Sequence, residues 1–230
     1  MCKLLPPVLL VALSFASFIR AAPPASKADS VEDKAIALAE QLGGSAKVDE
    51  KLDEIARVAV KLPTANDAAL RRLCKMPSVG AVEIFDATKC TDVGFASLKE
   101  LPDLQKLVLG KCPLNEKQAA AIGTLRSLNV LFLGESKLGD AAFEGFKKLV
   151  NLKLLDVSDS RLTDRSAEVL LGMKKLEELN LSKTKFADDG VKALKALENL
   201  KLLKLNQTNV TRKGIDAIEE ARGKALTVRW

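Results

Sequence analysis

The chain has 230 residues, with 36 Lys and Arg against 30 Asp and Glu, 47% apolar and 29% charged residues, and no His or Tyr. The lack of histidine excludes every mechanism that uses imidazole as general base, nucleophile or metal ligand, among them Ser/His/Asp triads, His-based zinc sites and HExxH peptidases. The apolar share is that of a folded protein, and the length allows one large domain or two small ones.

Residues Leu4 to Ile19 (LLPPVLLVALSFASFI) follow a short start carrying Lys3. This run is too short, and too broken by Pro6 and Pro7, for a comfortable membrane span. Residues 1–21 therefore read as a secretory signal peptide, with cleavage after Ala21 or after Ala16, and an uncleaved amphipathic anchor as the alternative. The expected location is secreted or periplasmic. Without residues 1–21 the chain keeps an excess of four cations and no membrane span. So mild an excess gives no ground for a nucleic-acid-binding stripe. Cys74, Cys90 and Cys112 remain, an odd number with no CxxC, so neither a disulfide framework nor a metal or cofactor site is expected.

Residues 22–30 form a polar, Pro-containing linker. Ser30 is placed to cap a helix over about Val31 to Leu42, with Glu32 and Asp33 at its positive end and Gly43-Gly44 as its stop. With a short strand over Ala46 to Asp49, residues 31–52 make an N-terminal cap.

From Asp53 to Ala221 the sequence repeats with a period of 24 residues, in seven units of which the second carries one extra residue. The third place of each unit is Ile55, Val79, Leu104, Leu128, Leu152, Leu176 or Leu200. The sixth is Val58, Val82, Leu107, Leu131, Leu155, Leu179 or Leu203, and the eighth is Val60, Ile84, Leu109, Leu133, Val157, Leu181 or Leu205. The sixth-to-eighth spacing is strand alternation, and the second half of each unit changes to helical spacing, as in Phe143 and Phe146. Thr91, Thr163, Thr211, Asn66 and Asn115 stand where helix N-caps are needed. Gly94, Gly190 and Gly214 are expected to let a helix approach the sheet. Such units bury their apolar faces only by stacking, which predicts an α/β solenoid with a parallel sheet on one side and helices on the other. Residues 222–230 (GKALTVRW after Arg222) are expected to close it as a last strand, with Leu226 and Val228 inward and Trp230 over the final turn.

The pattern LxxLxLxxTxxTDxGxxxLxxL, nearly intact as LEELNLSKTKFADDGVKALKAL from Leu176 to Leu197, resembles the leucine-rich repeat family in its ribonuclease-inhibitor-like, helix-containing subtype. The resemblance implies a horseshoe whose strands line the concave face. The eleventh place, often Asn in that family, holds Pro63, Thr88, Cys112, Ser136, Ser160, Thr184 and Thr208, whose side chains are expected to point inward and bond the turn backbone.

Strand residues between the core positions face the concave surface. In the middle units these are Lys106, Val108, Val130, Phe132, Leu154, Asp156, Glu178, Asn180 and, further on, Lys204. Val108, Val130, Phe132 and Leu154 have no core to enter there. An apolar cluster rimmed by Lys106, Asp156 and Glu178 has the composition of a protein contact site. Asp156 and Glu178 lack a third catalytic group, so they read as a solvated pair. The sequence thus predicts a monomeric, exported, non-enzymatic scaffold that binds a protein partner through its concave sheet. Inhibition of a secreted enzyme, recruitment of substrates as an adaptor, and an envelope structural role are the alternatives.

Overall fold

The computed structural model describes residues 30–230; the expected signal segment and nearly all of the expected linker lie outside the described residues. Nine strands among the described residues form one open sheet whose spatial order is the order of the chain. They are β1 (Ser45–Val48), β2 (Val58–Asn66), β3 (Val79–Lys89), β4 (Lys106–Leu109), β5 (Val130–Phe132), β6 (Leu154–Asp156), β7 (Glu178–Asn180), β8 (Leu202–Lys204) and β9 (Thr227–Arg229). β1 runs antiparallel to β2, and every later pair is parallel. Between them lie the helices α1 (Val31–Gln41), α2 (Asp67–Leu73), α3 (Asp92–Phe95), α4 (Glu116–Ile122), α5 (Asp140–Phe143), α6 (Ala167–Leu171), α7 (Asp188–Ala193) and α8 (Arg212–Arg222), several extended by a 3-10 turn. The arrangement is a leucine-rich repeat solenoid.

Leu107, Leu131, Leu155, Leu179 and Leu203 are direct register partners from β4 to β8 and are all buried. Full burial of such a side chain stabilises by about 1.5–3 kcal/mol. The column is therefore the main driving force for stacking. Helices as short as α3 and α5 have no stability of their own. They are held by inward residues such as Phe95, Phe143 and Phe146, the last two meeting edge to face at 5.5 Å.

The N-caps also tie each coil to the next. The Thr91 N–H and hydroxyl donate to the Asp67 carboxylate at 2.7 and 2.6 Å, those of Thr163 to Asp140 at 2.9 and 2.7 Å, and those of Thr211 to Asp188 at 2.7 Å each. The Ala187 N–H donates to Asp164 at 2.7 Å, and Asn115 Nδ2 to Asp92 at 2.8 Å. Each acid opens its own helix, or for Asp164 the 3-10 turn that leads into α6, and accepts from the cap of the following one. Burial pushes the Asp140 carboxyl up, but the donors Ser166 and Thr163 outweigh it and hold it below the ordinary value. Asp67 is lowered in the same way, burial being outweighed by Thr91 and Gly94, and Asp188 is lowered by the Thr211 N–H and hydroxyl.

This ladder corrects the reading of the glycines. A Cβ on Gly94, Gly190 or Gly214 would stand 2.4, 2.4 and 2.3 Å from Oδ1 of Asp67, Asp164 and Asp188, respectively. The small residue makes room for the neighbouring carboxylate rather than for the sheet.

Most other departures fall in the first two coils. Ile55, expected in the core, is 74% exposed, and Ala56 is buried in its place. Gln105 holds that segment, accepting from the Asp53 N–H at 3.0 Å. Pro63 and Thr88 are exposed instead of inward, with Ala65 and Ala87 buried beside them, and the Thr88 hydroxyl donates to Asp86. The other eleventh-place residues are buried or half-buried. Thr184 and Thr208 donate to the Leu181 and Leu205 carbonyls at 2.7 and 2.8 Å, whereas the Ser136 and Ser160 hydroxyls lack a partner among the described residues. Cys74, Cys90 and Cys112 are buried free thiols, and burial pushes Cys90 and Cys112 up to about 12. At the far end Leu226 is buried and Val228 half-buried, while Trp230 is half-exposed and lies 5.6 Å from the Arg212 guanidinium.

Candidate functional site

The parallel register sets two rows of side chains across the concave face. One runs Lys106, Val130, Leu154, Glu178, Leu202 and Thr227; the other runs Val108, Phe132, Asp156, Asn180, Lys204 and Arg229. Successive members sit on neighbouring strands about 4.8 Å apart. All nine residues expected at the site thus lie on one continuous surface. Val108, Val130, Phe132 and Leu154 form a half-buried apolar block at its centre.

A hollow of about 60 Å³ opens beside this block, lined by Phe132, Leu154, Glu178, Asn180, Leu202 and Lys204 among others. Small-molecule sites usually have several hundred Å³. This one has room for part of a single inserted side chain, the form of an anchor pocket in a protein interface.

The polar rim is partly committed within the protein. Lys106 Nζ donates to Glu83 at 2.6 Å, and Lys61 Nζ lies 2.7 Å from the same carboxylate. Burial pushes Glu83 up, but the hydrogen bonds from Lys106 and Lys61 bring it below the ordinary value. Lys106 leans away from its register partner Ala81, which is buried, toward Glu83. Asp156 accepts from the Ser158 N–H and hydroxyl at 2.9 and 2.7 Å and from Asn180 Nδ2 at 2.7 Å. These contacts fix the Asn180 amide on the rim. Glu178 and Lys204 form no ion pair among the described residues and stand free on the rim. Among the described residues no three His, Cys, Asp or Glu side chains gather as a metal site.

Leu202 also lines the hollow, although it is not among the nine expected site residues. The signal was present, since Leu202 occupies the same fifth place as Val130 and Leu154. Arg229 follows from the same alternation, since Val228 points inward on the last strand. Phe85, within β3 two residues after Glu83, is 65% exposed and lines a separate hollow with Lys61 and Pro63.

Residues 126–186 match a leucine rich repeat family model. No curated protein matches the chain in sequence. Among solved structures, an internalin (InlF) from Listeria monocytogenes is similar with a TM-score of 0.58 at 20% identity, over 74% of this chain and 46% of its own length. Internalin C2 from the same species gives 0.51 at 18% identity, over 74% of this chain and 79% of its own. The chain thus spans under half of the first internalin, and the likeness is one of fold.

Proposed function

We propose that this protein is an exported, non-enzymatic scaffold that grips a protein partner with the concave sheet. The observation that carries the reading is the block Val108, Val130, Phe132 and Leu154, set on a solvated sheet face where no core draws it in. Contiguous apolar surface rimmed by polar groups marks protein contact sites. A sheet held by its own register presents these groups with little ordering on binding, which favours affinity. The convex helices of each coil support the ribonuclease-inhibitor-like subtype, and the apolar run at residues 4–19 supports export. The partner's complementary feature is an apolar side chain seated in the hollow, flanked by a cation near Glu178 and an acid near Lys204.

The test is capture from the exported fraction with the wild-type chain and with the double variant Val130→Ser/Phe132→Ser. Loss of one wild-type band with an unchanged melting temperature supports the reading. Equal capture by both refutes it.

A further inference from the structure

On the convex side, between α2 and the 3-10 turn that follows α3, lies a depression of about 490 Å³. Arg71, Arg72, Lys75 and Lys99 line it against one acid, Glu100. Its lining also includes Ala68, Val93 and Ala96, with no aromatic ring. Two further depressions, of about 360 and 270 Å³, share the Arg72 side chain and add Lys89 and Lys34. The three form one basic trough across α1 and the first two coils.

Arg71 and Arg72 fall in the last turn of α2, where cations complement the helix dipole. Lys75 directly follows the C-cap of α2 and Lys99 falls in the last turn of the 3-10 helix after α3, so two neighbouring helix ends bring their cations to one place. Some cations elsewhere are paired across coils, as Lys61 and Lys106 are on Glu83 and Lys201 on Glu177, while others, Lys147, Lys148 and Lys204 among them, have no ion pair among the described residues. What sets the trough apart is that its cations gather in one depression. In the trough Arg71, Arg72, Lys75 and Lys99 have no ion pair among the described residues. Arg72 is instead oriented by a neutral partner, donating to Gln41 Oε1 at 2.8 Å. The sequence conceals this cluster because its cations are spread from residue 34 to residue 99 and the net charge is mild.

We propose that this trough binds a linear acidic polysaccharide, independently of the concave site. An elongated run of cations without ion pairs fits a chain of repeating sulfates or carboxylates, anions that guanidinium groups bind well. A single-stranded nucleic acid is disfavoured because its binding draws on aromatic stacking platforms, which the trough lacks.

The test is a titration of the full chain with dextran sulfate and polygalacturonate, with neutral dextran and single-stranded DNA for comparison. The variants are Arg72→Ala/Lys75→Ala and, as a control of equal charge change on another coil, Lys147→Ala/Lys148→Ala. All four residues are exposed, and circular dichroism checks that each variant is folded. The expected result is binding of both acidic glycans, weakened at least tenfold in the trough variant and unchanged in the control. Three results overturn the proposal: equal loss in both variants, which indicates a net-charge effect; DNA bound as tightly as the glycans; or no glycan binding by the wild-type chain.

Discussion

The first two coils and the last five solve the same turn differently. Lys111, Glu135, Asp159, Lys183 and Gln207, spaced 24 residues apart, all have φ between 44° and 64°. This left-handed residue reverses the chain after each short strand. In the first two coils the backbone stays extended, and β2 and β3 run for 9 and 11 residues. Leu62 occupies the corresponding place in the first unit and precedes Pro63, which drives the preceding residue toward extended backbone. In the second unit the extra residue shifts the register, and the exposed Thr88 results. The lesson is that a repeat is defined by its turn as much as by its leucines. Where the turn changes, the same sequence place ceases to mean the same burial.

The largest expected effect tests that contrast at the third place of the unit. Leu152→Ala, at a fully buried position, is expected to cost about 2–5 kcal/mol in chemical denaturation. Ile55→Ala, at the matching place in the first coil, is expected to fall within about 0.5 kcal/mol of wild type. A large loss at Ile55 would show that the first coil packs like the others.

Next is the carboxylate ladder. Asp140→Asn removes the charge from a site with three donors and is expected to destabilise by about 1–2 kcal/mol at pH 7. The folded pKa of Asp140 lies below its unfolded one, so its contribution is complete above about pH 4 and fades as pH falls through the folded value. Thermal melts of wild type and variant should therefore converge below about pH 4. A constant gap at all pH values would mean that the charge is irrelevant. A smaller gain is expected from Lys183→Gly, which relieves a left-handed backbone and should stabilise by about 0.5–1 kcal/mol, read as a raised melting temperature. No gain would mean that the turn holds little strain.

Much of the solenoid is legible in the sequence because its core positions recur every 24 residues with spacing that only a strand-and-helix unit satisfies. Residues 126–186, matched by the family model, lie within the regular coils. Ile55 is misread because strand register near the cap is set by Gln105 and by the loop it holds, a long-range contact with no local signature. The concave rows follow from alternation, so Val130, Phe132 and Leu154 could be placed together. What alternation cannot give is the state of the rim. Lys106 is drawn to Glu83 and Asp156 to Asn180 by contacts between coils, while Glu178 and Lys204 have no ion pair among the described residues.

The most direct test of the concave site is a titration of the captured partner against three chains: wild type, Val130→Ser/Phe132→Ser, and the convex control Lys147→Ala/Lys148→Ala. Truncating an aromatic anchor typically costs about 2–4 kcal/mol of binding, so the concave variant should bind roughly 30-fold or more weakly. The control should match wild type, and all three should melt together. Unchanged affinity in the concave variant, or an equal loss in the control, would contradict a binding role for the inner sheet.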